Sequence, residues 1–144
     1  MIGMEILKPV IVLAGWTMVM WLWMYITRLP AMTAAKIDSK TLVGGTGQTL
    51  DAVLPAKTQW IAHNYNHLHE APTVFYAVAL VLAMIGQGDG FNVDIAWAYV
   101  GLRIVHSLVQ VLSNRVIVRF GIFVLSSIAL MMLVAHAAMA LFQG

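Results

Sequence analysis

The chain contains no cysteine, which removes disulfides, thiolate metal sites and a cysteine nucleophile from consideration. Charge is scarce too: 10% of the 144 residues are Asp, Glu, Lys or Arg, against 61% hydrophobic, and the mean hydropathy is +0.86. A soluble core cannot absorb that much apolar surface. The eight Lys and Arg are scattered rather than clustered, which argues against nucleic acid as a partner. Long polar stretches are missing except for one, so the chain has no room for a separate catalytic domain. At ~20 apolar residues per span it accommodates about four transmembrane helices and one sizeable loop.

The expected fold is an all-α integral membrane four-helix bundle forming a single domain. An uncharged run between Lys8 and Arg28, opening with Pro9 in a first-turn position, predicts a first span over about residues 7–28. Its Trp16, Trp21, Trp23 and Tyr25 are too bulky for a signal peptide, and no small-residue cleavage pattern follows. Residues of about 30–56 carry Lys36, Asp38, Lys40, Gly44, Gly45, Gly47 and Pro55, the composition of an aqueous loop. A second span is expected over 58–85, broken by Gly86, Gly88 and Gly90. A third runs over 93–112, Ser113 and Asn114 make a turn, and a fourth runs over 116–142. The short hairpins make successive spans antiparallel neighbours.

Orientation follows from Lys and Arg, which are retained on the cytoplasmic side. Arg28, Lys36, Lys40 and Lys57 surround the first loop and Arg115 and Arg119 the third, whereas the second loop and the C-terminus hold none. This predicts a multi-pass protein with a cytoplasmic first loop and both termini on the non-cytoplasmic side, as in a bacterial inner membrane. Only Lys8 runs against the rule.

Ionisable groups at membrane depth must be paired or must line a cavity or an interface. His63, Asn66, His67 and Glu70 fall at i, i+3, i+4 and i+7, one face of the second span. Arg103, His106 and Gln110 repeat that spacing on the third and descend toward the same end, where Arg119 opens the fourth. Three spans thereby aim cations, imidazoles, amides and one carboxylate at a single cytoplasm-facing region. A plainer reading makes Glu70 and Arg103 a buried ion pair that fixes helix packing. His136, between alanines, reads as a packed or hydrogen-bonded residue. Gly44, Gly45 and Gly47 lack the Lys and Ser/Thr of a phosphate loop. The His spacing of four in the second span is insufficient for a metal centre, because only His106 and His136 remain elsewhere.

At these residues the chain resembles the membrane-associated proteins in eicosanoid and glutathione metabolism, the MAPEG family. Glu70, Ala71, Pro72, Thr73, Val74, Phe75 and Tyr76 look like the Glu-x-Pro-x-x-Phe-Tyr segment of bacterial members. Arg103, His106 and Ser107, then Asn114 and Arg115, then Arg119 and Phe120, resemble the block from Arg-x-x-His-Ser through Asn-Arg to Arg-Phe. The resemblance implies a homotrimer, with glutathione between neighbouring subunits near the cytoplasmic side. It implies that Glu70 meets the glutathione amino group and that Arg103, His106 and Arg115 surround its carboxylates and backbone. Arg119 would be the catalytic arginine that stabilises the thiolate.

The chain departs from glutathione-using members at His63 and Asn66, where they carry arginines, at His67, where they carry Asn, and at Gln110, where they carry tyrosine. Two functions follow. One is a glutathione-dependent transferase or peroxidase acting on a lipophilic electrophile from the bilayer. The other is a noncatalytic protein that binds a lipid or quinone, or serves as an accessory subunit of a larger membrane complex.

Overall fold

The computed structural model describes residues 3–36 and 54–143. These form five helices: α1 (Leu7–Ala34), α2 (Ala56–His67), α3 (Ala71–Met84), α4 (Phe91–Leu112) and α5 (Val116–Phe142). Because α2 and α3 continue one another, they make four stretches long and apolar enough to cross a membrane. Most of the expected first loop lies outside the described residues.

Besides shifts of one or two residues at the helix ends, two features differ from the sequence reading. The first helix runs to Ala34, through Pro30, instead of ending at 28. A proline forfeits one backbone hydrogen bond, and Leu29, Ala31, Met32 and Ala34 around it are good helix formers. The helix stops where Lys36 turns into the left-handed region, at φ 59°.

The second span is not one continuous helix. Pro72 has no N–H to offer the carbonyl of Leu68 and its ring crowds that carbonyl, so α2 ends at His67 and α3 restarts at Ala71. Glu70 sits in the junction with φ −96° and ψ −100°, and its carbonyl accepts from both the amide and the hydroxyl of Thr73. The expected single face carrying His63, Asn66, His67 and Glu70 is therefore broken after His67.

The opposite end is tied by backbone. Gly3 N–H donates to Ala83 O at 2.8 Å and Ile6 N–H to Gly88 O at 2.9 Å, locking the start of α1 onto the α3–α4 connection. A Cβ on either Gly3 or Gly88 would collide with the other's backbone. Between the ends runs an apolar core that includes Leu13, Met20, Phe75, Leu82, Ala96 and Leu133. Ile11, Val19, Ile26, Leu125, Ile128 and Met131 are exposed on the outside, as they are in a protein solvated by lipid. A polar stripe runs inside along α4, whose Tyr99, Arg103, His106, Ser107 and Gln110 are all buried.

Candidate functional site

The α4 stripe meets α2 where α5 begins. Arg103 is fully buried, and its Nη2 donates to His67 Nδ1 at 2.6 Å. A guanidinium has no acceptor, so Nδ1 must be the unprotonated ring nitrogen and the His67 proton resides on Nε2. That nitrogen lies 3.9 Å from Glu70 Oε2. On the other side the His67 ring stacks on His106, with centroids 5.0 Å apart and planes at 17°. Phe123 of α5 meets His67 edge-on at 5.9 Å.

Arg119, half-buried in the first turn of α5, donates from Nη1 to Asn114 Oδ1 at 2.7 Å. Asn114 holds a φ of 49°, a left-handed conformation that Asn tolerates better than most residues. The turn that ends α4 thus also anchors the arginine.

These groups surround a cavity of about 400 Å³ lined by the polar side chains His63, His67, Glu70, His106, Gln110 and Arg119. Its remaining wall is Val116, Phe120 and Phe123. The sequence spacing brings six of the expected site residues to one place. Three others stand apart from it. Arg103 lies behind His67 and reaches the cavity only through that imidazole, Arg115 is exposed at the cap of α5, and Asn66 is exposed on α2. Among the described residues Glu70 makes no ion pair with Arg103, so the buried-pair reading of those two does not hold; the guanidinium faces a histidine instead.

Sequence reasoning named Phe120 only as a motif residue and missed that Val116 and Phe123 join it in an apolar wall, although the three follow i, i+4 and i+7 spacing from the start of α5. It also missed Asn64, fully buried on α2 with neither amide atom partnered among the described residues. The signal was there: Asn64 shares helical spacing with the buried Ile61 and Leu68, whereas Asn66 falls on the face of His63 and Glu70.

Chemically, the cavity pairs a carboxylate and imidazoles with one fixed cation and a phenylalanine wall. It suits a ligand or ligand pair that is polar at one end and apolar at the other. The MAPEG family model matches residues 6–139. No curated protein and no solved structure matches the chain.

Proposed function

Because the chain belongs to the MAPEG family, we propose that this integral membrane protein binds glutathione in the cavity and either joins its sulfur to a lipophilic electrophile or, with a second glutathione, reduces a lipophilic hydroperoxide to the alcohol and water while the two thiols become a disulfide. The observation that carries this reading is the convergence of Glu70 and Arg119 on one cavity with Phe120 and Phe123. Glu70 is the partner for the glutathione amino group. The Arg119 guanidinium, held by Asn114, is the fixed charge for the sulfur. A guanidinium stays charged, favours the thiolate and raises the nucleophilic fraction at neutral pH. The conjugation step is then attack of the thiolate on the electrophile, with the proton released to solvent and the leaving group departing with the electron pair. The phenylalanine wall receives the apolar partner from the bilayer.

His106 and Gln110 complete the polar lining, and Arg103 acts by orienting His67. Arg115 and Asn66 reach a ligand only if it extends beyond the subunit, which accords with a homotrimer that shares its sites between neighbours. The same reading places the cavity at the cytoplasmic face of a bacterial inner membrane, with both termini on the other side.

A second reading is favoured by the three imidazoles of His63, His67 and His106 around the cavity. Imidazole N–H groups and aromatic walls also suit a quinone or lipid carbonyl in a noncatalytic protein or an accessory subunit. Thermal unfolding in detergent separates the two. Millimolar glutathione should raise the midpoint by several degrees; no shift with glutathione, and a shift with a short-chain quinone, would transfer the site to the second reading.

A further inference from the structure

At the end of the bundle opposite this site lies a second cavity, of about 340 Å³, lined by Gln87, Asp89, Phe91, Asn92, His136 and Met139. It is built from the α3–α4 connection, the first turn of α4 and the last two turns of α5. Its hydrogen bonds fix which atoms remain available. Asn92 Nδ2 donates to the backbone carbonyl of Gln87 at 2.9 Å, so Asn92 Oδ1 is an acceptor. His136 Nδ1 lies 2.7 Å from that oxygen and must therefore be the protonated ring nitrogen. The neutral imidazole then keeps a lone pair on Nε2. Asp89 adds an exposed carboxylate, and among the described residues neither Lys nor Arg lines the cavity. The Phe91 ring, 6.1 Å from that of His136, and the Met139 thioether supply polarisable surface.

A cavity that offers a carboxylate, an imidazole lone pair and an aromatic face selects a cation with N–H donors. Its depth narrows the source. His136 is six residues before the end of α5, about 9 Å from it at ~1.5 Å per residue, so when this 27-residue helix crosses a bilayer the cavity comes to the border between the hydrocarbon and the headgroups. Exposed Phe91, Met139 and Phe142 lie at the same helix ends and provide an apolar surface for acyl chains. We propose that this cavity is a binding site for the primary ammonium of a phosphatidylethanolamine headgroup, donated to Asp89 and His136 Nε2. The proposal is independent of the glutathione reading.

Native mass spectrometry of the full chain released from nanodiscs tests it, with phosphatidylethanolamine, phosphatidylcholine and phosphatidylglycerol supplied in equal amounts. Phosphatidylethanolamine should be retained preferentially, because the quaternary ammonium of phosphatidylcholine has no N–H and phosphatidylglycerol has no amine. Asp89→Asn and His136→Phe should each weaken that retention about two- to fivefold, the range for one partly exposed charged contact. Equal retention of phosphatidylglycerol, or unchanged retention in Asp89→Asn, would overturn the ammonium site. Stabilisation of lipid-depleted protein by free ethanolamine as strong as that by the lipid would overturn the lipid assignment in favour of a soluble amine.

Discussion

Arg103 and His67 form a hydrogen bond between the buried stripe of α4 and α2 at the candidate site, Nη2 donating to Nδ1 at 2.6 Å. One partner is fully buried and the other lines the cavity, so the bond converts a packing residue into a device that sets the tautomer of a site residue. His67→Ala should leave the guanidinium short of an acceptor and cost about 1–3 kcal/mol. His67→Asn, which can place an amide oxygen near the position of Nδ1, should recover most of that loss. Chemical or thermal unfolding of the two variants in one detergent makes the comparison, and equal losses would sink the tautomer-setting role.

Arg119 and Glu70 are expected to fail in different ways. If the guanidinium stabilises the thiolate, Arg119→Ala should slow conjugation of glutathione to a model electrophile by roughly ten- to a hundredfold, as expected for one charge-assisted contact of about 1.5–3 kcal/mol made mainly in the transition state. Glu70→Gln should instead raise the glutathione concentration needed for half-saturation. Steady-state kinetics separates a fall in kcat from a rise in KM; a common effect on both parameters in both variants would argue against the division of roles.

Gly88 should be intolerant of any side chain, because the backbone of Gly3 occupies the space of its Cβ. Gly88→Ala is expected to destabilise the protein by about 1–3 kcal/mol through forced separation of α1 from the α3–α4 connection. An unfolding midpoint equal to that of the unaltered chain would show that this end is not closely packed.

The membrane orientation can be read with single cysteines, since the chain has none of its own. Ala35→Cys, at the end of α1, should be labelled by an impermeant maleimide only after the cytoplasmic face is opened. Gln143→Cys should be labelled from outside. Reversal of the two patterns would invert the placement of the candidate site.

Assembly is predicted to be a homotrimer, as membership of the MAPEG family leads one to expect, with the exposed Arg115 and Asn66 covered by a neighbouring subunit. Native mass spectrometry in mild detergent should give three times the mass of the 15.8 kDa chain. A stable monomer would remove the shared-site arrangement.

Much of this was legible without coordinates. Composition alone required membrane helices, because so few charges cannot keep so much apolar surface in water. Period-3.6 spacing was enough to gather His106, Gln110 and their partners on inward faces, and Asn114 was readable as a turn because it interrupts two uncharged runs. Long-range geometry was not legible. Pro72 can end a helix or merely bend one, and the sequence does not say which; in the structure the second span breaks after His67. The partner of Arg103 was likewise not legible: charge pointed to Glu70, whereas the structure gives it His67. Sequence period fixes which face of a helix a side chain occupies, but the depth and rotation of the opposing helix choose the atom it meets. Those quantities come from the fit of many apolar side chains at once, so the tertiary structure decided that the arginine meets an imidazole while the carboxylate stays exposed.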